Sequence, residues 1–530
     1  MTTTEDEGRS RIDIGVDPLR TGLNPYLVGD TSSFLDDLSK LVFPRTFVGG
    51  ELNDELLDWA GPVEPSEGAA QTLVYDINDS AQWSDGTPIT GADFVFLWRT
   101  LSATNGVRSA AGYQQITDVR VSEGGRRVEV DLASKVAEWR RLFSPLLPSH
   151  VVSSGSFSTA MDEEIPASAG KFLVAHADPK RGAIELNRND RYWGDEPAKT
   201  EIIGFQEVGD GVDGLDQVRN TQLSFVNIAP GQTTEDAYRL VDGAQTRTIT
   251  TGRMLTLSAS TASPVVGDAA ARRELRELID VPEVAKLATG RTEDLALPAG
   301  ANRTSERAAG SDPEALRGAA SVERPLTIAA DPRHPEAARA ARAIVDLAAA
   351  KGIPAAVSSV DFTEAVEDLL PAGEVDAVLS WGVASPTALD VASAYSCPTP
   401  EQRRLEAKSR DEETGEGDEG DDEEAAAADG WGSNLTGYCD EDTQQRLMAA
   451  LAGDMGDEEL AAFVAGLEDE EALYTPIVGE QRLEVARDEL HGPAEDLKDW
   501  PDGVGTAGEW ELDEEFLNNR AILRKEQEPD

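Results

Sequence analysis

A chain of 530 residues with 40% hydrophobic content is too long for a single core, so two or three lobes are expected. Its formal net charge of −53 argues against nucleic acid as a partner, because phosphates are repelled and no basic stripe offsets the repulsion. The same charge disfavours docking on anionic lipid headgroups and reads as a surface of solvated carboxylates.

No apolar run reaches the roughly 18 residues that a membrane span needs. The N-terminal stretch MTTTEDEGRSRIDIGVD is polar and contains no signal-peptide core. It reads as the start of a trimmed mature chain, with residues 2–11 as a tether.

In chain order, IDIGV at 12–16 predicts a strand. SSFLDDLSKLVFP predicts a helix with Leu35, Leu38, Leu41 and Val42 on one face, stopped by Pro44. A strand over 73–77 precedes QWSDGTPITGADFVFLWRT. There Ser84, Asp85 and Gly86 make a turn, Thr90 is an N-cap, and Asp93 stands in capping-box position. Phe94, Leu97, Trp98 and Leu101 follow at helical spacing. Residues 116–121 and 127–132 alternate around SEGG, which predicts a hairpin. Strands are expected over 169–175, 183–186, 200–205 and 254–258, and a helix over 268–279. SAGKF lacks the glycine spacing of a phosphate loop, and Phe172 stands where Ser or Thr is needed. Residues 304–323 read as a low-complexity, solvated loop. Then PLTIAA, AARAARAIVDLAAAKG, IPAAVSSV, TEAVEDLL and VDAVLSWG alternate as β-α-β-α-β, which implies a parallel sheet. The first turn, ADPRHPEA, has no glycine fingerprint, so no dinucleotide site is expected.

The acidic run 411–424 has neither the spacing nor the flanking helices of a calcium loop and reads as part of a disordered insertion, 403–429. Asp440 and Asp457 each cap a predicted helix, and strands return over 474–485. Cys397 and Cys439 flank the insertion in turn-like contexts. A disulfide between them is the expected state, the alternative being two buried reduced thiols. The four histidines, His150, His176, His334 and His491, form no metal spacing, and no G-x-S-x-G elbow occurs. Neither catalysis nor a metal or cofactor is expected.

WSDGTPIT followed by DF, Gly170-Lys171-Phe172, the set Asn189, Tyr192, Trp193, Gly194 and Pro197, and the late N-x-T-G-Y at 434–438 together resemble the family 5 extracellular solute-binding proteins. These are receptors of ABC importers for peptides, nickel and glycans, and the resemblance runs from about residue 12 to about 490. It implies an α/β, periplasmic-binding-protein-like fold of class II (cluster C), with two hinged lobes closing over a ligand and an extra domain. Lobe I would comprise 1–45, 165–253 and 479–530, the extra domain 46–164, and lobe II 254–478. A monomer is expected.

Peptide-binding members of the family carry an Asp a few residues after the Trp that is Trp381 here, where it pairs with the ligand's amino group. Ala384 or Ser385 stands at that position, and the nearest carboxylate is Asp390. A buried ammonium without a partner costs several kcal/mol, which argues against an ordinary free-amine peptide. The candidate ligand-binding residues are Trp381, Ser385, Asp390, Tyr395, Trp431 and Asn434. For the three aromatics, core packing is at least as good an account as ligand stacking. IGVDPLRTGLNPYLVGD and LVFPRTF resemble an actinobacterial lipoprotein branch of the family, which acts in lipomannan and lipoarabinomannan assembly rather than uptake. That resemblance implies a lipid-anchored envelope protein binding a glycolipid or a membrane mannosyltransferase. The alternative is the oligopeptide receptor of an ABC importer, with its permease as partner.

Overall fold

The computed structural model describes residues 9–178, 182–209, 213–397, 432–501 and 503–513. Trp431 and the insertion 403–429 lie outside the described residues.

Ile12, Ile14 and Val16 on one face of the strand Arg11–Val16 are at most 1% exposed, and Asp13 and Gly15 on the other are buried too, so the strand is covered on both faces. It pairs in parallel with Ile202–Glu207 and with Phe225–Ile228, in the middle of one half of a ten-stranded sheet. In the other half Leu326–Ala330 lies between Ala355–Ser359 and Ala377–Val383, parallel to both. The helix Pro335–Ala350 makes the first crossover, as the β-α-β-α-β pattern implies, with its Ala337, Ala340, Ala341 and Ile344 stripe buried.

Two long antiparallel strands join the halves: Ala244–Ala259 of 16 residues and Tyr474–Arg487 of 14. Their register shifts between Thr250 and Met254, so Thr251, Gly252 and Arg253 form a bulge where one half passes into the other. The expected strand at 254–258 is one end of this much longer element.

A separate four-stranded antiparallel sheet has the order Leu57–Val63, Gln71–Ile77, Arg127–Leu132, Ile116–Ser122. The expected hairpin is there, with Gly124 and Gly125 at positive φ in its turn. Against this sheet packs the helix Gly91–Ala103, and its capping box is formed. The Thr90 N–H donates to Asp93 Oδ2 at 3.0 Å, and Phe94, Leu97 and Leu101 are fully buried. One apolar core runs from Ile12 through Tyr75 and Phe94 to Leu389 and Ala392, while a second fills the half around Leu326–Ala330.

The structure corrects the reading of residues 304–323. They form two short helices, Thr304–Gly310 and Glu314–Ala319, rather than a solvated loop. Leu316 is fully buried, and the Glu274 carboxylate accepts the N–H groups of Ala315 and Leu316 at 3.1 and 2.8 Å. This cap comes from a residue some 40 positions away, which local reading cannot supply. Gly456, not Asp457, is the N-cap of Asp457–Glu471, and the segment expected as a helix at 363–370 is a helical turn followed by a π-turn over Ala365–Leu369. Among the described residues no helix is long and apolar enough to cross a membrane.

Cys397 and Cys439 are disulfide-bonded, with Cα atoms 4.9 Å apart. The bond joins the end of the helix Ala388–Tyr395 to the start of Glu441–Ala452, so it ties the two ends flanking 398–431. Its sequence separation of 42 corresponds to about 4 kcal/mol of stabilisation in the chain-entropy model. The Cys397→Ala/Cys439→Ala variant is expected to lose about that much in urea unfolding, and the denatured, unreduced wild type should titrate with no free thiol.

Candidate functional site

Between the two halves of the large sheet lies a cavity of about 1160 Å³. The bulge residues Thr251, Gly252 and Arg253 line it, as do Tyr474, Thr475 and Pro476 of the partner strand. Thr31, Asp36, Arg108, Trp381, Tyr395, Arg303 and Arg307 also line it.

Trp381 lines the cavity and is 9% exposed, because it belongs to the apolar core around Leu326–Ala330. Ser385 is exposed and is not in the wall, although its neighbours Ala384 and Pro386 are. Asp390 reaches the wall but its oxygens are engaged: Arg141 Nη2 donates to Oδ1 at 2.7 Å and Nη1 to Oδ2 at 3.1 Å. It also closes a capping box with Thr387. Burial raises its pKa, but the Arg141 guanidinium more than offsets this and holds the carboxyl below the usual range. Tyr395 lines the cavity at 4% exposure, with its hydroxyl donating to Glu468 Oε1 at 2.7 Å and its ring set edge-on to Tyr474. Asn434 is 1% exposed, away from the wall. Its Oδ1 accepts from the Thr436 and Gly437 N–H groups at 3.0 and 3.1 Å, so it shapes the turn at 434–438. Trp431 lies outside the described residues.

A set of charged residues at the bulge went unread in the sequence. Arg108 Nη1 donates to Asp36 Oδ1 at 2.7 Å, and both side chains are about one-third exposed into the cleft. Arg253 Nη2 donates to the Thr31 carbonyl at 2.8 Å; its guanidinium also lies 3.6 Å from Asp36 and 3.4 Å from Glu480. Burial lowers the Arg253 pKa. For Asp36, burial acts upward, but Arg108 and Arg253 prevail and its pKa is lowered. In a chain with 100 acidic residues a paired carboxylate gives no signal of its own, so only the geometry singles these out.

The N-terminal LNPYLVGD segment bridges to the opposite half. The His334 ring nitrogen Nε2 lies 2.8 Å from the Gly29 carbonyl, and Arg333 lies 3.8 Å from Asp30. Burial pushes the Asp30 pKa up to about 6, against the pull of Arg333. A carboxyl raised in the folded state binds its proton there while the unfolded chain has already released it. Asp30 therefore costs stability as pH rises from about 4 to about 6, and the cost persists above that. Asp30→Asn should gain on wild type by on the order of 2 kcal/mol between pH 4 and pH 7, read as the difference between two urea-unfolding series. A pH-independent difference would contradict it.

Residues 64–401 match the family described as bacterial extracellular solute-binding proteins, family 5, and the chain belongs to that family. Family membership makes it an extracytoplasmic binding protein, and the fold expected from the resemblance is the one observed. Among relatives, it is 27% identical over 525 residues to a protein of Mycobacterium tuberculosis named as the probable monoacyl phosphatidylinositol tetramannoside-binding protein LpqW, covering 84% of this chain and 82% of that one. It is 28% identical over 209 residues to the oligopeptide-binding protein OppA of Mycobacterium tuberculosis, covering 38% of this chain and 35% of OppA. Solved structures with the same fold include the periplasmic EDTA-binding protein EppA, with TM-score 0.64, 20% identity and coverage of 96% and 97% of the two chains. The oligopeptide-binding AppA of Bacillus subtilis, in complex with a nonapeptide, aligns with TM-score 0.65, 14% identity and coverage of 96% and 100%.

Proposed function

We propose that this chain is a non-enzymatic, lipid-anchored envelope protein that closes over the headgroup of a mannosylated phosphoinositide. In that role it supports lipomannan and lipoarabinomannan assembly, by presenting the glycolipid to a membrane mannosyltransferase or by contacting that enzyme. The observation that carries the reading is the fate of the carboxylate nearest the expected peptide-amine site: Asp390 is bound in a two-pronged pair by Arg141. An arriving ammonium would have to displace that guanidinium.

What remains on the wall suits hydroxyl groups. Arg108 uses one of its five N–H donors on Asp36, and the pair is charge-compensated, so its spare donors and acceptors can take neutral hydroxyls without stranding a charge. Trp381 adds an apolar ring to the same cavity. The similarity to LpqW along most of both chains supports the same reading.

The purified protein is to be titrated calorimetrically with a mannosylated phosphatidylinositol and with a panel of oligopeptides. Binding of the glycolipid and not of the peptides is expected. Peptide binding alone would establish the second reading, the receptor of an oligopeptide ABC importer, which the similarity to OppA favours. A deletion strain with unchanged lipomannan and lost oligopeptide uptake would do the same.

A further inference from the structure

Over the whole chain acidic residues outnumber Lys and Arg by 100 to 47, yet on the cavity wall cationic side chains outnumber acidic ones. Most of those cations are already paired: Lys40 with Asp37, Arg108 with Asp36, Arg141 with Asp390, Arg253 with Glu480, Arg276 with Glu468 and Arg482 with Asp17. Arg303 and Arg307 are not. Both are exposed, both line the cavity, and neither has an ion-pair partner among the described residues. Glu277 and Asp469 also belong to the wall, but neither reaches ion-pair distance of these arginines.

Arg303 ends the short helical turn Ala301–Arg303, and Arg307 lies in the helix Thr304–Gly310 that continues it. Four residues apart, they stand one above the other on one face. Like charges at this spacing repel, and the repulsion is relieved when a counter-charge sits between them. The Arg303 guanidinium folds back over Gly300, whose φ is +80°; a Cβ there would stand 3.0 Å from Nη2. The cavity lining also includes the apolar Val281, Pro298, Ala299 and Ala301. Planar guanidinium forks match phosphate oxygens, and an apolar surface matches an acyl chain.

We infer that Arg303 and Arg307 form the anion-recognising arm of the cavity and take the phosphate of an amphiphilic phosphodiester. This rests on the glycolipid reading above and deepens it, by assigning the charge-selective contact to two residues.

The test uses calorimetric titration with lysophosphatidylinositol, the uncharged dodecyl maltoside, a mannosylated phosphatidylinositol and inorganic phosphate. Wild type is expected to bind lysophosphatidylinositol at least about 30-fold more tightly than dodecyl maltoside, the order expected of two charge-assisted contacts. Arg303→Ala/Arg307→Ala should shrink that gap to within about threefold without moving the melting temperature, and Arg303→Lys/Arg307→Lys should recover only part of it. A gap that persists in the double alanine variant overturns the inference. So does inorganic phosphate binding as tightly as the lysolipid, which would mark a site for the free anion. A wild type that binds the mannosylated lipid with no preference for charge sinks the arginine inference and leaves the glycolipid reading standing. Binding of neither lipid overturns both.

Discussion

Arg253→Ala is expected to cost about 3–5 kcal/mol of unfolding free energy, the range for removing one partner of a buried ion pair. The Arg253 side chain is 9% exposed, and from the bulge of the long strand it reaches Thr31, Asp36 and Glu480. Its loss leaves the Glu480 carboxylate without its guanidinium, Asp36 with Arg108 alone, and the Thr31 carbonyl without its donor. Ligand affinity should fall as well, because Thr31 and the bulge both line the cavity and Arg253 is the tie between them. A Glu480→Gln change made on top of Arg253→Ala should cost less than the same change in wild type, since the carboxylate is then already unpaired. Strict additivity in urea unfolding, together with unaltered ligand titration, would remove Arg253 from this role.

Gly170→Ala is expected to cost more than about 4 kcal/mol or to prevent folding. A Cβ at Gly170 would stand 2.2 Å from the Leu41 carbonyl oxygen and 2.8 Å from its carbon, both backbone atoms that cannot swing away. The strain falls where the strand beginning at Phe172 crosses the helix Ser33–Val42, with the Ala169 and Gly170 N–H groups both donating to the Val42 carbonyl. Gly155→Ala is the control: among the described residues nothing lies within 4 Å of its would-be Cβ, and it should stay within about 0.5 kcal/mol of wild type. Far-UV circular dichroism and urea unfolding of the pair decide the matter. A Gly170→Ala protein as stable as the control would show that the crossing can relax.

Where the determining contacts are local, the sequence was a sufficient guide. Thr90 and Asp93 are three residues apart, and their capping box closes without help from elsewhere. The β-α-β-α-β order over 325–383 needed only the switch between two hydrophobic periods. Signatures such as WSDGTPIT and N-x-T-G-Y turned out to be structural: Trp83 is fully buried, and Asn434 ties a turn. They name the family and say nothing of the ligand.

The cavity was legible only in part. Trp381 and Tyr395 are in its wall, whereas Ser385 and Asn434 are not. Residues 304–323 read as a loop because Ala, Gly, Glu and Arg carry no apolar stripe there; Leu316 and a cap from Glu274 make them helical. With that loop reading, Arg307 had no reason to be noticed.

By itself, then, the amino-acid sequence determined the family, the β-α-β-α-β lobe and the capped helix at 91–103, all of which rest on short-range spacing and side-chain period. Only the tertiary structure decided which charges line the cavity. Asp36 meets Arg108 across 72 positions, and Asp390 meets Arg141 across 249. In a chain so rich in carboxylates, a charge acquires meaning only from the partner that the fold sets beside it, or, at Arg303 and Arg307, leaves out among the described residues.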